Sequence, residues 1–164
     1  MTFFIAIVDS NRGTVSYANA GHNFPMLLPG FPDDDRTRRF PKYLKRLGNI
    51  APIILNANGA PLGSSASNQY TDNHAQLRAG DRLILFSDGI IEAQNQQGKQ
   101  WGRRSLAKSI VSASHMAMGS LRSKIVEDAF LFYQGVPPDD DLTLVIVELE
   151  KSWVPKQQLS LIHI

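Results

Sequence analysis

The stretch LILFSDGIIEA, residues 83–93, carries the strongest structural signal in this chain of 164 residues. Four apolar residues in a row, Leu83 to Phe86, are typical of a buried β-strand, and the Asp88-Gly89 pair after them is common in turns. The chain becomes apolar again at Ile90, which predicts a short turn or helix. A carboxylate, that of Asp88, is therefore predicted at the end of a buried strand, where a charged side chain needs a structural or functional reason.

Short strands and turns precede this stretch. Residues 3–8 (FFIAIV) are aromatic and β-branched, residues 9–13 (DSNRG) are typical of a turn, and residues 14–18 (TVSYA) alternate in polarity. This pattern predicts a β-hairpin. A third short strand is predicted at residues 24–28, which follow the second strand closely.

Residues 31–58 differ in character from the sequence on both sides. An acidic run, Asp33-Asp34-Asp35, is followed by six basic residues between Arg36 and Arg46. We expect an excursion from the sheet, with one short helix at residues 43–47. A solvated surface loop is the default interpretation, and a role in docking a phosphorylated protein is the alternative.

Two helices and one strand are predicted after residue 93. Apolar residues recur at helical spacing in residues 106–114 and again in residues 121–132. Ser120 is expected to cap the second helix and Gly135 to end it. Residues 142–149 (LTLVIVEL) are long and apolar enough for a strand at the centre of a sheet, covered on both faces.

The order of these elements predicts an α+β fold, with helices grouped against antiparallel sheet. The length fits one domain, expected at residues 1–150, and the patternless residues 151–164 are expected to form a tail. A formal net charge of +2 gives no argument for binding nucleic acid, and no apolar run approaches the roughly 20 residues that span a membrane. The chain has no cysteine, which excludes disulfides and thiolate metal sites and fits a reducing compartment, and a cytoplasmic protein is expected because no membrane-spanning run or leader is recognised.

Two acidic sites share one arrangement relative to the predicted strands. Asp88 follows one strand, and Asp139, Asp140 and Asp141 precede another. The end of one antiparallel strand lies beside the start of its neighbour, so these carboxylates can converge at one edge. Clustered carboxylates repel one another unless a cation lies between them, and Mg²⁺ and Mn²⁺ prefer such oxygen ligands. The alternative is that Asp-Gly is a simple turn and the acidic triplet a solvated loop.

Four stretches occur in an order that resembles one family of enzymes: NAGHNFP at residues 19–25, GAPLG at 59–63, LRAGDRLILFSDGIIEA at 77–93 and DDLTLV at 140–145. Together they resemble the metal-dependent PPM protein phosphatases, in particular the bacterial sporulation and stress-response (SpoIIE-like) branch. The resemblance implies a sandwich of two antiparallel β-sheets flanked by helices. It also implies two Mn²⁺ or Mg²⁺ ions and a metal-bound water that attacks phosphoserine or phosphothreonine.

The resemblance further implies that Asp88 and Asp140 are metal ligands. Asp140 is preferred among the three aspartates because the family pattern of Asp, Asp or Asn, an apolar residue and Thr matches residues 140–143. His22 is a candidate for contacting phosphate or the edge of the site, and a histidine that stabilises a turn is the alternative. Glu92 is expected to favour the amino terminus of a helical turn rather than to bind a metal.

The chain also departs from the family pattern. The family's first metal-binding Asp, in a Gly-Asp-Phe or Gly-Asp-Tyr stretch, and its Gly-His-Gly segment have no counterpart here. Asp9 is followed by Ser10, and the only Gly-His pair is Gly21-His22. We therefore expect the chain to begin in the middle of the domain, to have low activity by itself and to self-associate through exposed sheet edges.

The function that the resemblance implies is dephosphorylation of a regulatory protein, such as an anti-sigma-factor antagonist, in the cytoplasm. A non-catalytic relative that binds a partner through the same fold is the first alternative. A metal-dependent phosphodiesterase on another fold is the second, and the four ordered stretches give it no support.

Overall fold

Two antiparallel β-sheets and three α-helices make up the computed structural model, which describes residues 1–31, 35–37 and 50–154. The strands are β1 at Phe3–Asp9, β2 at Thr14–Ala20, β3 at Met26–Leu28, β4 at Ile53–Ile54, β5 at Asn73–Gln76, β6 at Arg82–Phe86 and β7 at Leu144–Glu148. The helices are α1 at Asp88–Glu92, α2 at Gly102–Ser112 and α3 at Met118–Tyr133, and Asp35–Thr37 forms a 3₁₀ turn. The strand orders are β1-β2-β5 in the first sheet and β4-β3-β6-β7 in the second.

The strand β6 lies inside the second sheet, and its side chains enter two different apolar cores. Ile84 and Phe86 pack in one core with residues of the three helices, whereas Leu83 packs between the sheets with Val15 and Leu27. Burial on both faces explains why this strand is a continuous apolar run rather than an alternating one. The strand predicted at residues 83–86 is confirmed, and so is the hairpin formed by β1 and β2.

The apolar periodicity in the second half of the chain belongs to two helices, as predicted. Leu106 and Ile110 of α2 and Leu121 and Ile125 of α3 are all fully buried in the core next to the second sheet. These helices cover one face of that sheet. No helix in the described ranges has the length and the apolar character needed to cross a membrane.

The ends of α3 agree only in part with the sequence. Ser120 was expected to cap the helix, but the helix begins at Met118, with Ala117 at the N-cap position, so this prediction is wrong. The helix begins three positions before its first buried apolar residue, Leu121, so Ser120 lies in the first turn. The helix ends at Tyr133, and Gly135 follows with a φ angle of 81°, which confirms glycine at the end of the helix.

The strand predicted at residues 142–149 lies at an edge rather than at the centre. In the described part of the chain, β7 pairs with β6 alone. Leu144 and Ile146 pack toward the helices, but Val145 and Val147 on the other face are 46% and 44% exposed. The prediction of a strand covered on both faces is wrong, because apolar residues on both faces do not reveal whether a second layer covers each of them.

The strand β1 is the exposed edge of the first sheet. Ile5 and Ile7 are 48% and 65% exposed, and β1 pairs with β2 alone within the described residues. Each sheet therefore presents an apolar edge strand. Such edges are typical of surfaces that another strand or another chain covers.

Several connections differ from the simplest interpretation of the sequence. The strand β3 follows β2 closely in the chain but pairs with β4 and β6 in the other sheet. The strands β4 and β5 were not predicted because they have only two and four residues, and β5 (NHAQ) is mostly polar. The helix expected at residues 43–47 lies outside the described residues, as do residues 155–164 of the expected tail.

A buried carboxylate anchors the start of the excursion. Asp81 is 0% exposed, and its two oxygens accept hydrogen bonds from the Arg36 guanidinium at 2.7 and 2.9 Å. The same carboxylate accepts the backbone N–H groups of Gly30 at 3.0 Å and Arg78 at 2.9 Å. These bonds tie residues 35–37 to the turn that precedes β6.

Candidate metal centre

The pairing of β6 with β7 brings Asp88 close to the acidic residues 139–141. The strands are antiparallel, and Phe86 at the end of β6 lies opposite Leu144 at the start of β7. Asp88 begins α1 just after β6, and the acidic residues lie just before β7. The two acidic segments therefore meet at one edge of the sheet, as the sequence indicated.

Gly89 allows these two segments to touch. A Cβ atom at this position would lie 2.5 Å from the backbone oxygen of Asp141 and 3.1 Å from that of Asp140. The φ angle of Gly89 is not positive, so any residue could adopt its backbone conformation. The glycine is needed for space and not, as an Asp-Gly pair suggests, for an unusual turn.

Ser87 connects the same two segments by three hydrogen bonds. Its hydroxyl donates to the carbonyl oxygen of Asp141 at 2.9 Å and accepts from the backbone N–H of Thr143 at 2.9 Å. Its own backbone N–H donates to the carbonyl oxygen of Thr143 at 3.0 Å. Residues 141–143 are thus held against the end of β6.

The carboxylates of Asp88 and Asp140 are exposed, and each accepts one local hydrogen bond. Oδ1 of Asp88 accepts the N–H of Gly89 at 3.1 Å, and Oδ1 of Asp140 accepts the N–H of Asp141 at 2.7 Å. Neither carboxylate forms an ion pair with any residue that the structure describes. Each retains oxygen lone pairs of the kind that Mg²⁺ and Mn²⁺ prefer, so the donor chemistry fits such an ion.

Further acidic side chains lie nearby but do not complete a metal site. A cavity of about 110 Å³ beside Gly89 is lined by Glu92, Asp139 and Asp140. Glu92 is the last residue of α1, so the prediction that it lies at the amino terminus of a helical turn is wrong. Among the described residues, no group of three or more His, Asp and Glu side chains has the geometry to hold a metal ion. These residues therefore fit one part of a metal site.

His22 lies in the loop between β2 and β3 and stabilises that loop. Its ring Nδ1–H donates to the carbonyl oxygen of Asn23 at 2.9 Å, and its backbone N–H donates to Oδ1 of Asn19 at 2.8 Å. These bonds support a turn-stabilising role. His22 also lines a cavity of about 290 Å³ together with Ser87 and Thr143, and neither Asp88 nor Asp140 lines that cavity.

The first two family-like stretches pack against each other. A Cβ atom on Gly59 would lie 2.0 Å from the carbonyl oxygen of Asn19, and a Cβ atom on Gly21 would lie 2.8 Å from the side chain of Pro61. Backbone at Gly59 and the proline ring at Gly21 leave no room for a larger residue, and Gly21 also has a positive φ angle of 73°. The NAGH loop and the GAPLG turn therefore form one packed unit.

Two residues that support the site were not singled out from the sequence. Ser87 carries a weak signal, because it is a polar residue placed between an apolar run and an Asp-Gly pair. Tyr133 carries none: its buried hydroxyl donates to the carbonyl oxygen of Ile90 at 2.7 Å, and the two residues are 43 positions apart. Burial raises the pKa of Tyr133 to about 12. This bond holds α1, and hence Asp88, against α3.

Comparison with known proteins identifies relatives over almost the whole chain. The family model described as stage II sporulation protein E (SpoIIE) matches residues 1–150. Phosphoserine phosphatase RsbU of Bacillus subtilis is 29% identical over 148 residues, which make up 90% of this chain and 38% of RsbU.

Two solved structures share the fold. The SiaA-PP2C domain of Pseudomonas aeruginosa gives a TM-score of 0.65 at 14% identity, covering 90% of this chain and 51% of that chain. The phosphatase domain of SpoIIE from Bacillus subtilis, presoaked with Mn, gives a TM-score of 0.60 at 15% identity, covering 91% and 56%. The predicted α+β phosphatase fold is confirmed. The chain spans only about half the length of these two domains, and less of RsbU.

Proposed function

The chain belongs to the SpoIIE family of PP2C-type phosphatase domains, and on that premise we propose that it takes part in hydrolysing phosphoserine or phosphothreonine by a metal-activated water. The observation that supports this proposal is the contact between the Asp88 and Asp140 segments at Gly89. This contact brings together two backbone segments, each of which carries an exposed carboxylate, at one edge of the second sheet. The carboxylates of Asp88 and Asp140 are the ligands that this part of the chain contributes to a Mn²⁺ or Mg²⁺ site.

Asp88 and Asp140 would hold the metal ions, of which the complete domain has two. When bound, such ions lower the pKa of a water and neutralise phosphoryl oxygens during in-line displacement. Local hydrogen bonds orient the two carboxylates, since one oxygen of each accepts a backbone N–H. Nδ1–H of His22 is bonded to a carbonyl oxygen, which leaves Nε2 as the ring atom that would contact a phosphoryl group at the edge of the site.

The substrate that we propose is a phosphorylated regulatory protein, such as an anti-sigma-factor antagonist, in the cytoplasm. The relative RsbU is a phosphoserine phosphatase, which supports the phosphoserine part. The absence of cysteine supports a reducing compartment. Because no three-ligand group occurs among the described residues, we propose that residues 1–164 alone have low activity and that the complete site needs ligands beyond those described.

Phosphate release from a phosphoserine peptide, with and without Mn²⁺, tests this proposal. We expect slow turnover by residues 1–164 that depends on Mn²⁺ and that Asp88→Asn and Asp140→Asn each reduce about tenfold or more. Turnover without any divalent ion, or turnover that both substitutions leave unchanged, would contradict the proposed chemistry. Fast turnover that Asp88→Asn abolishes would support the chemistry and contradict the low activity of this chain.

A non-catalytic module that binds a phosphorylated partner is the second candidate, and it is favoured because the part of the chain that the structure describes contains no three-ligand group. Such a module would retain the phosphoserine peptide in the presence of Mn²⁺ without releasing phosphate. Asp88→Asn would leave that retention unchanged, whereas in a phosphatase the same substitution weakens both metal binding and turnover.

A further inference from the structure

Ser87 stands at the N-cap position of α1 but does not cap this helix. A serine at an N-cap normally accepts, through its side-chain oxygen, a hydrogen bond from a backbone N–H of the first helical turn. Ser87 has the extended backbone of a cap residue, with φ −77° and ψ 163°, yet its hydroxyl makes no such bond. The hydroxyl is used elsewhere.

The hydroxyl of Ser87 both donates a hydrogen bond to the segment before β7 and accepts one from it. It donates to the carbonyl oxygen of Asp141 and accepts the N–H of Thr143, each at 2.9 Å. The regular ladder between β6 and β7 ends at the pair formed by Phe86 and Leu144. Ser87 therefore extends the connection between the two strands beyond the last regular pair, to the residues that follow Asp140.

This connection joins the two acidic segments. Asp88 lies on one of the segments that touch at Gly89, and Asp140 and Asp141 lie on the other. The contact at Gly89 is steric and supplies no directional attraction. The bonds of Ser87 do, and they act on the peptide groups on both sides of Leu142.

We propose that Ser87 is a positioning residue: its hydroxyl holds the Asp140 segment against Asp88 and thereby sets the affinity of this edge for a divalent cation. The proposal rests on the proposed function for the identity of the two ligands. Residues that support metal ligands typically change metal affinity by about 10- to 100-fold when they are removed. Ser87 acts on the backbone rather than on a ligand atom, so we expect an effect at the lower end, about tenfold.

Paramagnetic broadening of amide resonances by Mn²⁺ measures this affinity in the 164-residue chain, because it detects weak binding. In the wild type, the amides of residues 88–89 and 140–141 should broaden along one titration curve. Ser87→Ala should raise the apparent Kd about tenfold, and Ser87→Thr, which keeps the hydroxyl, should return it to within about twofold of the wild type.

Ser112→Ala provides a matched control. The hydroxyl of Ser112 also donates to a backbone carbonyl oxygen, that of Ser109 at 2.8 Å, but within α2. This substitution should leave the Kd for Mn²⁺ within about twofold. A Kd for Ser87→Ala that equals the wild-type value would overturn the proposal, and so would a Ser87→Thr variant that binds as weakly as Ser87→Ala.

Hydrogen exchange separates this proposal from the proposed function, since it needs no metal. The N–H of Thr143 bonds to the Ser87 hydroxyl, so its exchange should become about tenfold faster in Ser87→Ala and return toward the wild-type rate in Ser87→Thr. Unchanged exchange would overturn the role of the hydroxyl even if metal binding is present. Faster exchange in a chain whose wild type shows no broadening by Mn²⁺ would support the hydroxyl bond but contradict the metal site itself.

Discussion

Replacing Gly89 by alanine would force the two acidic segments apart. The new Cβ atom would stand 2.5 Å from the backbone oxygen of Asp141, and ordinary contact begins at 3.4 Å. The segments would have to separate by roughly 0.9 Å, and overpacking of this kind costs about 1 to 3 kcal/mol. Alanine is favoured over glycine in a helix by about 1 kcal/mol, so we expect a net loss of up to about 2 kcal/mol in the free energy of unfolding.

Urea denaturation measures this loss, and a Mn²⁺ titration on the same protein should show a decrease in affinity of about tenfold or more. Gly119→Ala is the matched control, because a Cβ built on Gly119 in the first turn of α3 would meet no atom within 4 Å other than its chain neighbours and its own helix backbone. This control should leave stability unchanged or raise it by up to about 1 kcal/mol. If Gly89→Ala is as stable as the wild type and binds Mn²⁺ equally well, the contact between the segments does not matter and the reasoning fails.

Three other substitutions test separate parts of the structure. Tyr133→Phe removes the bond to Ile90 and should cost about 1 kcal/mol at neutral pH. Burial raises the pKa of Tyr133 to about 12, above the value near 10 in the unfolded chain. The unfolded chain therefore loses its tyrosine proton first as the pH rises, and the free energy of unfolding of the wild type should fall by up to about 3 kcal/mol between pH 10 and 12. Urea titrations should show a smaller fall in the variant. Asp81→Asn removes the charge that pairs with Arg36 and should lower the free energy of unfolding in urea by about 3 kcal/mol, whereas a loss below about 1 kcal/mol would show that the anchor is unimportant. Ile7→Lys places a charge on the exposed edge of β1 and should shift sedimentation equilibrium toward monomer, and a wild type that is already strictly monomeric would contradict the expected self-association.

Local patterns in the sequence were sufficient for much of the fold. The buried run at residues 83–86 and the hairpin at residues 3–18 were predictable because their side chains report burial directly through composition and alternation. The two helices were predictable for the same reason, since one apolar stripe per helix packs on the sheet. The approach of Asp88 to the acidic triplet followed from antiparallel pairing alone.

Features that depend on distant neighbours were not predictable from local patterns. The edge position of β7 depends on which strands lie beside it, and the bond from Tyr133 to Ile90 joins residues 43 positions apart. The sequence suggested a turn role for Gly89, whereas its close contact with Asp141 becomes visible only when the two segments are placed together. Ser87 was missed because a serine before a helix is usually assigned to capping, and its actual partners belong to another strand.

The Mn²⁺ affinity of Asp140→Asn, compared with that of Asp139→Asn, examines the proposed metal site with the smallest possible change. Both residues are exposed and both line the cavity beside Gly89, so the two variants differ in position but not in chemistry. We predict that Asp140→Asn weakens Mn²⁺ binding about tenfold or more and that Asp139→Asn leaves it within about twofold of the wild type. Equal losses in the two variants, or no loss in Asp140→Asn, would contradict the assignment of Asp140 as a ligand.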